Sequence, residues 1–348
     1  MNAPELLLSD LIRLPSFSRE EDATAQRIAG FLEAKGIPTQ RLLNNVWAQN
    51  AHFDPQKPTL LLNSHHDTVR PNPGYTRDPF LPQIEDGKLY GLGSNDAGAA
   101  LVGLIFAFLH FYSRPDLPYN LCLAATAEEE ISGKHGIAYL LPHLPPLACA
   151  IVGEPTEMHL AIAERGLIVI DAEVKGKAGH AARLEGENAI YKALSDIDWM
   201  RAYRFPKQSP TLGEIRVSVT QIEAGTQHNV VPDSCRFVID VRTTDAYTNE
   251  EVLAILDAHT QATLRPRSLR LKPSGIAPEH PLVQAGVALG RHTYGSPTMS
   301  DQALLDIPSI KMGPGHSARS HTADEFVYLD ELHEGIKLYV ALLERFFE

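Results

Sequence analysis

Apolar runs in this chain repeatedly end in, or lead promptly to, an acid or an imidazole. Thr59-Leu-Leu-Leu-Asn-Ser-His65-His66-Asp67-Thr-Val69 is a short apolar stretch closed by two imidazoles and a carboxylate. Its length and its bounding prolines, Pro58, Pro71 and Pro73, predict a buried strand and not a helix. Asn120–Ala127 is a second such run and leads into Glu128-Glu129-Glu130. Ala148–Val152 is a third and leads into Gly153-Glu154-Pro155-Thr156. Helical patterns lie between them. Leucines at helical spacing mark Pro4 to Arg13, and Ser18-Arg-Glu-Glu21 reads as a capping box for a helix through Lys35, closed by Gly36. The glycine-rich turn Leu89-Tyr-Gly-Leu-Gly-Ser-Asn-Asp96 feeds an apolar helix from Ala97. Strands alternating with helices predict an α/β fold with a mostly parallel sheet, whose carboxyl edge would gather the polar strand ends.

The pattern changes after Glu154. Gly166–Val174 reads as a strand, Gly179-His180 follows, and a helix is expected from about Glu187 to Arg204. Glu214 to Glu223 alternates apolar and polar residues, as a half-exposed antiparallel strand does, and Ser234–Arg242 is its expected neighbour. A helix from Asn249 to Thr263 and a last strand from Ser268 to Lys272 complete an inserted α+β unit. The first pattern then resumes with a helix from Pro281 to Arg291, a strand from Ile307 to Met312 and an amphipathic helix from Leu329 to Phe347. The expected division is 1–164 with 273–348 as one domain and 165–272 as a second.

The length of 348 residues suits two cores better than one. The net charge of −12, with no block of Lys and Arg, argues against a nucleic-acid surface and against anionic membranes. The three cysteines, Cys122, Cys149 and Cys235, lie far apart in or beside apolar runs, as reduced thiols of a cytoplasmic protein do. Glu5 and Asp10 among the first leucines do not fit a signal peptide. Ala97 to Tyr112 is short for a membrane span and is interrupted by glycines and His110.

The chemistry follows from the repetition. His65 and Asp67, then Asp96, then Glu129 and Glu130, then Glu154 all stand at or just beyond strand ends or a glycine-rich turn. Carboxylates brought together raise one another's pKa unless a cation neutralises them. Nitrogen and oxygen donors without thiolates suit zinc, cobalt or manganese, and a carboxylate able to bridge makes a two-metal site plausible.

These motifs resemble those of the M20 metallopeptidases and deacylases. Ser64-His65-His66-Asp67-Thr-Val is similar to the family's Gly-His-x-Asp-x-Val. Gly91-Leu-Gly-Ser-Asn-Asp96 is similar to Gly-Arg-Gly-x-x-Asp, with Leu92 for the usual Arg. Thr126-Ala-Glu128-Glu129-Glu130 matches Thr-Ala-Asp-Glu-Glu, with Glu128 for Asp, and Gly153-Glu154-Pro-Thr matches Gly-Glu-Pro-Thr or Gly-Glu-Pro-Ser. The wording sits nearest the acetylornithine-deacetylase-like branch that also handles N-succinylornithine. The resemblance implies two divalent ions per chain, one held by His65, Asp96 and Glu154 and the other by Asp96, Glu130 and His321. His321 is preferred over His316 because the family motif ends in His-x-x-x-Glu, which makes Glu325 a supporting acid. It also implies Glu129 as general base, Asp67 as the group that orients His65, and His180 as an imidazole reaching a partner subunit's site in a homodimer. Asn229, Arg242 and Ser300 are the substrate-binding residues it implies. The implied reaction removes an acetyl or succinyl group from the α-amino group of an amino acid such as ornithine, in arginine biosynthesis. Dipeptidases, succinyl-diaminopimelate desuccinylases and acetyl-lysine deacetylases share the same metal motifs.

Overall fold

The computed structural model describes residues 1–348. Two compact units are present: Met1–Ile162 with Gly275–Tyr294 and Ser300–Glu348, and Ala163–Ser274 with Gly295–Met299.

The first unit is built around the strand Thr59–His65, whose seven residues are all buried. A strand covered on both faces needs no polar alternation, and Leu60, Leu61 and Leu62 accordingly follow one another. It pairs in parallel with Asn120–Thr126 on one side and Leu147–Val152 on the other, and Ser309–Lys311 continues the parallel set. The margins are antiparallel: Asn45–Gln49 joins Asn120–Thr126, Gln40–Leu42 joins Asn45–Gln49, and Leu160–Glu164 joins Ser309–Lys311. The sheet is therefore of the expected α/β kind, parallel at its centre and mixed overall. The four parallel strands end on one edge, so the segments after His65, Thr126, Val152 and Lys311 emerge together.

Helices cover this sheet for legible reasons. Ala99–Phe111 is apolar nearly all round and is buried, as a helix without a polar face must be. The one stretch long and apolar enough to cross a membrane, Ser94–Phe111, lies mostly within this core. Leu329–Phe347 buries Leu332, Gly335, Tyr339, Leu342, Leu343 and Phe346, the three-four spacing of a one-sided helix. Its Tyr339 hydroxyl donates to the Met312 carbonyl at 2.5 Å.

The second unit is a four-stranded antiparallel sheet in the order Arg216–Ala224, Ser234–Thr243, Gly166–Lys175, Thr263–Pro266. Ile168, Ile170, Phe237 and Ile239 point to one face, where they share a core with Ala193 and Met200 of Ala189–Ala202 and Val252 and Leu256 of Asn249–His259. Asn188 and Thr248 cap these two helices with their side chains.

Two local expectations are corrected. Ser18 does not cap a helix: Asp22–Glu33 begins later, Glu21 is its N-cap residue, and the Ser18 hydroxyl donates instead to Asp67. The last strand of the second unit is Thr263–Pro266, and Ser268 to Lys272 is not a strand. Pro266 is tolerated because that strand lies at the sheet edge. Beyond Asp67, Gln83–Glu85 and Lys88–Tyr90 form a hairpin extended by Phe326–Tyr328.

Gly313, just beyond the Ser309–Lys311 strand, has no room for a side chain. A Cβ there would lie 2.5 Å from the Glu154 carbonyl oxygen, 2.8 Å from Ala100 Cβ and 3.0 Å from the Tyr339 hydroxyl. Gly313→Ala is expected to lower stability by about 1–3 kcal/mol, the usual cost of overpacking. Calorimetry of the variant checks this, and an unchanged melting temperature would contradict it.

Candidate metal centre

His65 is the last residue of its strand and is buried. Neighbouring residues on a strand face opposite ways, so His66 turns from the edge into the protein. Its Nδ1 meets Thr24 Oγ1 and its Nε2 meets the Asn44 carbonyl, each at 2.9 Å, and burial pushes it down to about 4. His65 faces the strand ends. Its Nδ1 meets the Asp67 carbonyl at 2.9 Å and the Asp67 carboxylate at 3.4 Å. Its Nε2 lies 3.3 Å from Asp96 Oδ1, 3.6 Å from Glu154 Oε1 and 4.0 Å from Glu129 Oε2. His321 Nε2 lies 2.9 Å from Glu130 Oε2 and 3.5 Å from Asp96 Oδ2. Asp96 thus presents one oxygen to each imidazole. His316 is not in this group: its Nδ1 accepts from the Ala318 amide and its Nε2 is 3.6 Å from Glu157.

The charges in this space conflict. Burial pushes Glu154 up to about 8, with Asp96 and Glu130 adding to the rise against the pull of His65 and Lys311. Burial also raises Glu129 well above the ordinary carboxyl range, and raises Glu130 although its bond to His321 opposes this. The Glu130 bond lifts His321 to about 9. For His65, burial favours the neutral ring, yet Asp67, Asp96, Glu129 and Glu154 together push it well above its usual value. Asp96 is held low against its burial by His65, Ser320 and His321. Acids that would rather be neutral, packed around imidazoles that would rather be charged, are the electrostatics of a cation site. The donor atoms of His65, Asp96 and Glu130 lie within 4.8 Å of one another, as do those of His65, Glu129 and Glu154. The nitrogen and oxygen donors fit zinc or a similar divalent ion. Glu129 stands as near to His65 and Glu154 as a ligand would, so distance alone does not mark it off as a base.

Buried acids that face backbone hold the centre in place. The Glu325 carboxylate accepts from the amides of Gly93 at 3.1 Å, Asn95 at 2.8 Å and Asp96 at 2.9 Å. It stands four residues after His321 and so ties the His321 loop to the turn that carries Asp96. Asp67 likewise accepts from the amides of Glu129 and Glu130. Glu128 turns away from the centre and binds the amide and ring of His135. Asp301, absent from the expected catalytic set, is buried next to it. It accepts from Thr126 Oγ1 at 2.7 Å, and burial pushes it up to about 6. Its signal in the sequence is Ser296-Pro-Thr-Met-Ser300-Asp301, which resembles the Gly-Thr-Ser-Asp segment of the M20 motifs and implies a place in the substrate pocket.

The other expected residues fall in different places. Ser300 is buried in the first unit, where its side chain caps the short helix Asp301–Leu304. His180 and Asn229 are neighbours in the second unit, because Gly179–His180 pairs with Val230–Val231 and the Ala181 amide donates to the Asn229 carbonyl. His180 is exposed, and its Nδ1 accepts from the Ala182 amide. Arg242 lies on the Ser234–Thr243 strand, and Asp240 engages its guanidinium through two bonds of 2.8 and 3.0 Å.

A mixed α/β sheet with imidazoles and carboxylates converging at its carboxyl edge defines a metal-dependent hydrolase. The chain belongs to peptidase family M20/M25/M40, whose model matches residues 61–345. A succinyl-diaminopimelate desuccinylase of Stenotrophomonas maltophilia is 29% identical, over 99% of both chains. An M20 family metallo-carboxypeptidase from Sulfolobus solfataricus shares the fold at a TM-score of 0.76, with 17% identity and 99% of each chain covered. A dinuclear metal binding peptidase of the same family from Bacillus subtilis matches at a TM-score of 0.72, with 18% identity over 98% of this chain and 96% of that one.

Protein purified without chelator is expected to carry about two divalent ions per chain. Metal analysis with anomalous scattering checks the number and the positions. Ions bound elsewhere in a fully loaded crystal would overturn the assignment. A cation that relieves repulsion among Asp96, Glu130 and Glu154 also stabilises the fold, so zinc added to chelated protein should raise its melting temperature.

Proposed function

We infer that this chain is a metal-dependent amidohydrolase that removes an acetyl or succinyl group from the α-amino group of a small amino acid. The observation that carries this reading is Glu129, a half-buried carboxyl that desolvation raises well above its ordinary range, in a cluster where His65, Asp96 and Glu130, and His65, Glu129 and Glu154, stand close enough to hold divalent ions. His65, Asp96 and Glu154 would hold one ion, and Asp96, Glu130 and His321 the other. Divalent ions held there supply Lewis acidity toward the amide carbonyl and the attacking water. Glu129 takes a proton from that water and delivers it to the departing amine, a task suited to a carboxyl whose affinity for protons is raised. Asp67 holds His65 from the Nδ1 side, which leaves Nε2 free to bind.

Two observations bear on the substrate. The motif wording favours N-acetyl- or N-succinylornithine, which would put the product in arginine biosynthesis. The full-length similarity to a succinyl-diaminopimelate desuccinylase favours N-succinyl-diaminopimelate. Both readings ask for the same bond, an amide between a small acyl group and an amino-acid nitrogen. Zinc-loaded protein assayed with N-acetyl- and N-succinyl-ornithine, acetyl-citrulline, acetyl-lysine, succinyl-diaminopimelate and simple dipeptides separates them. Turnover of the dipeptides alone would overturn the deacylase reading. Glu129→Gln should lower kcat by about 10²-fold or more, as loss of a general base does, while metal content stays at the wild-type level. Equal loss of metal from Glu129→Gln and Glu130→Gln would contradict the division of roles.

The reading also includes a homodimer in which His180 serves the neighbouring chain's centre and steadies the oxyanion. The exposed strand Arg216–Ala224 lies at an edge of its sheet and leaves backbone groups open to pairing, which supports it. Mixing inactive His180→Ala with inactive Glu129→Gln should restore part of the activity once subunits exchange. Confirmed exchange with no recovery would place the imidazole in its own chain's reaction.

A further inference from the structure

The acidic turn after Asn120–Thr126 presents three consecutive amides, and each is held by a carboxylate from elsewhere in the chain. Glu128 N donates to Glu21 Oε1 at 3.2 Å, Glu129 N to Asp67 Oδ1 at 3.0 Å and Glu130 N to Asp67 Oδ2 at 3.2 Å. Both holding carboxylates belong to fully buried residues. The turn needs such anchors. Glu128 has φ of 56°, in the left-handed region that residues with a Cβ seldom adopt. Its carbonyl is engaged as well, by the Gly133 amide at 2.7 Å. The peptide is thereby gripped on both sides of the residue that precedes Glu129.

The holding carboxylates are themselves fixed by the segment between the first two helices. Ser18 Oγ donates to Asp67 Oδ2 at 2.7 Å. Asn44 Nδ2 donates to Glu21 Oε2 at 2.8 Å, and the Arg19 amide to Glu21 Oε1 at 2.5 Å. The segment is docked beside the His65 strand end, because Ser16 Oγ donates to the His66 carbonyl at 2.8 Å and the Thr68 amide to the Ser16 carbonyl at 2.7 Å. Ser18 and Glu21 have the spacing of a capping box, yet neither side chain caps the helix that follows. Ser18 points at Asp67, which holds the acidic turn, and Glu21 holds that turn directly. Burying an acid as Glu21 is buried is costly unless its oxygens are satisfied, and here a backbone amide of that turn is one of the donors.

We propose that Ser18 and Glu21 are positioning residues for Glu129, Ser18 acting through Asp67 and Glu21 through the amide of Glu128. The proposal rests on the reading of Glu129 as the proton carrier. Proton transfer and attack demand placement within a fraction of an ångström, so a loosened turn costs turnover before it costs binding. Of the proposed metal ligands, Glu130 lies in this turn and His65 shares Asp67 as its anchor, whereas the Asp96 amide is held by Glu325.

The test uses the zinc-loaded full chain with Ser18→Ala, Ser18→Thr and Glu21→Gln. On N-acetyl-L-ornithine and N-succinyl-L-ornithine at saturating zinc, Ser18→Ala and Glu21→Gln are each expected to lower kcat by about tenfold to 10²-fold, with KM unchanged. Ser18→Thr, which keeps the hydroxyl, should recover most of the loss. Amide hydrogen exchange supplies a readout apart from activity and is measured with and without zinc. Exchange at Glu128, Glu129 and Glu130 should quicken in the two damaging variants. The amides of Gly93, Asn95 and Asp96, held by Glu325, should keep their wild-type rates. Wild-type kcat and exchange in both variants would overturn the proposal. Zinc loss with faster exchange across the whole unit would do so too, because it would show a merely structural role. If the unaltered protein hydrolyses neither substrate, the functional reading fails, and the exchange pattern still decides whether this segment holds the turn.

Discussion

The whole centre depends on keeping several carboxylates close together in a buried place. Left alone, Asp96, Glu129, Glu130 and Glu154 would repel one another or take up protons, and the strand ends that carry them would drift apart. Two imidazoles meet part of that charge, with Asp96 shared between them. The remaining demand suits divalent cations. Around this core a second set of acids does different work. Glu325, Asp67 and Glu21 face backbone amides and fix main chain. Burial pushes Glu325 up to about 8 in spite of its three amide bonds, whereas His65 and Ser18 hold Asp67 below the ordinary carboxylate range against its burial.

Most of the fold and much of the metal centre were legible because they are written locally. A short apolar run that stops at His65, Glu129 or Glu154 carries both its strand character and its chemistry in about ten neighbouring residues. The parallel order of those strands follows from the alternation with helices. What could not be read is what depends on distant partners. Ser18 and Glu21 satisfy a local rule for helix starts, and only the packing of Asp67 and the acidic turn against them shows a different use. Ser268 to Lys272 alternates as a strand should, while Thr263–Pro266 ends in a proline. Edge position reverses the two, since an outer strand can lack a donor on its open side. Asp301 stands in a segment that resembles a family motif, but its neighbours Thr126 and His65 come from distant strands.

Family membership narrows the chemistry without choosing the substrate. The metal motifs and their carboxylate supports lie in the first unit and would serve any small amide. Arg242, the residue expected to meet a substrate carboxylate, spends its guanidinium on Asp240 within its own strand. Any recognition by Arg242 therefore competes with an existing ion pair, which makes it a weaker and more adjustable contact than an unpaired guanidinium would be.

The place of Ser309–Lys311 in the sheet has a consequence for how this chain comes to be folded. That strand lies between Leu147–Val152 and Leu160–Glu164, yet it is made after the entire second unit. A ribosome-bound chain that has reached residue 300 has a sheet with a gap at that position and lacks His321. The second unit has local antiparallel pairing and can settle early. The first unit must wait for a late strand to enter a slot already flanked on both sides. Such long-range closure is slow and leaves strand edges open in the interval. During synthesis, the half-made first unit is thus the stretch of this protein most in need of chaperone cover.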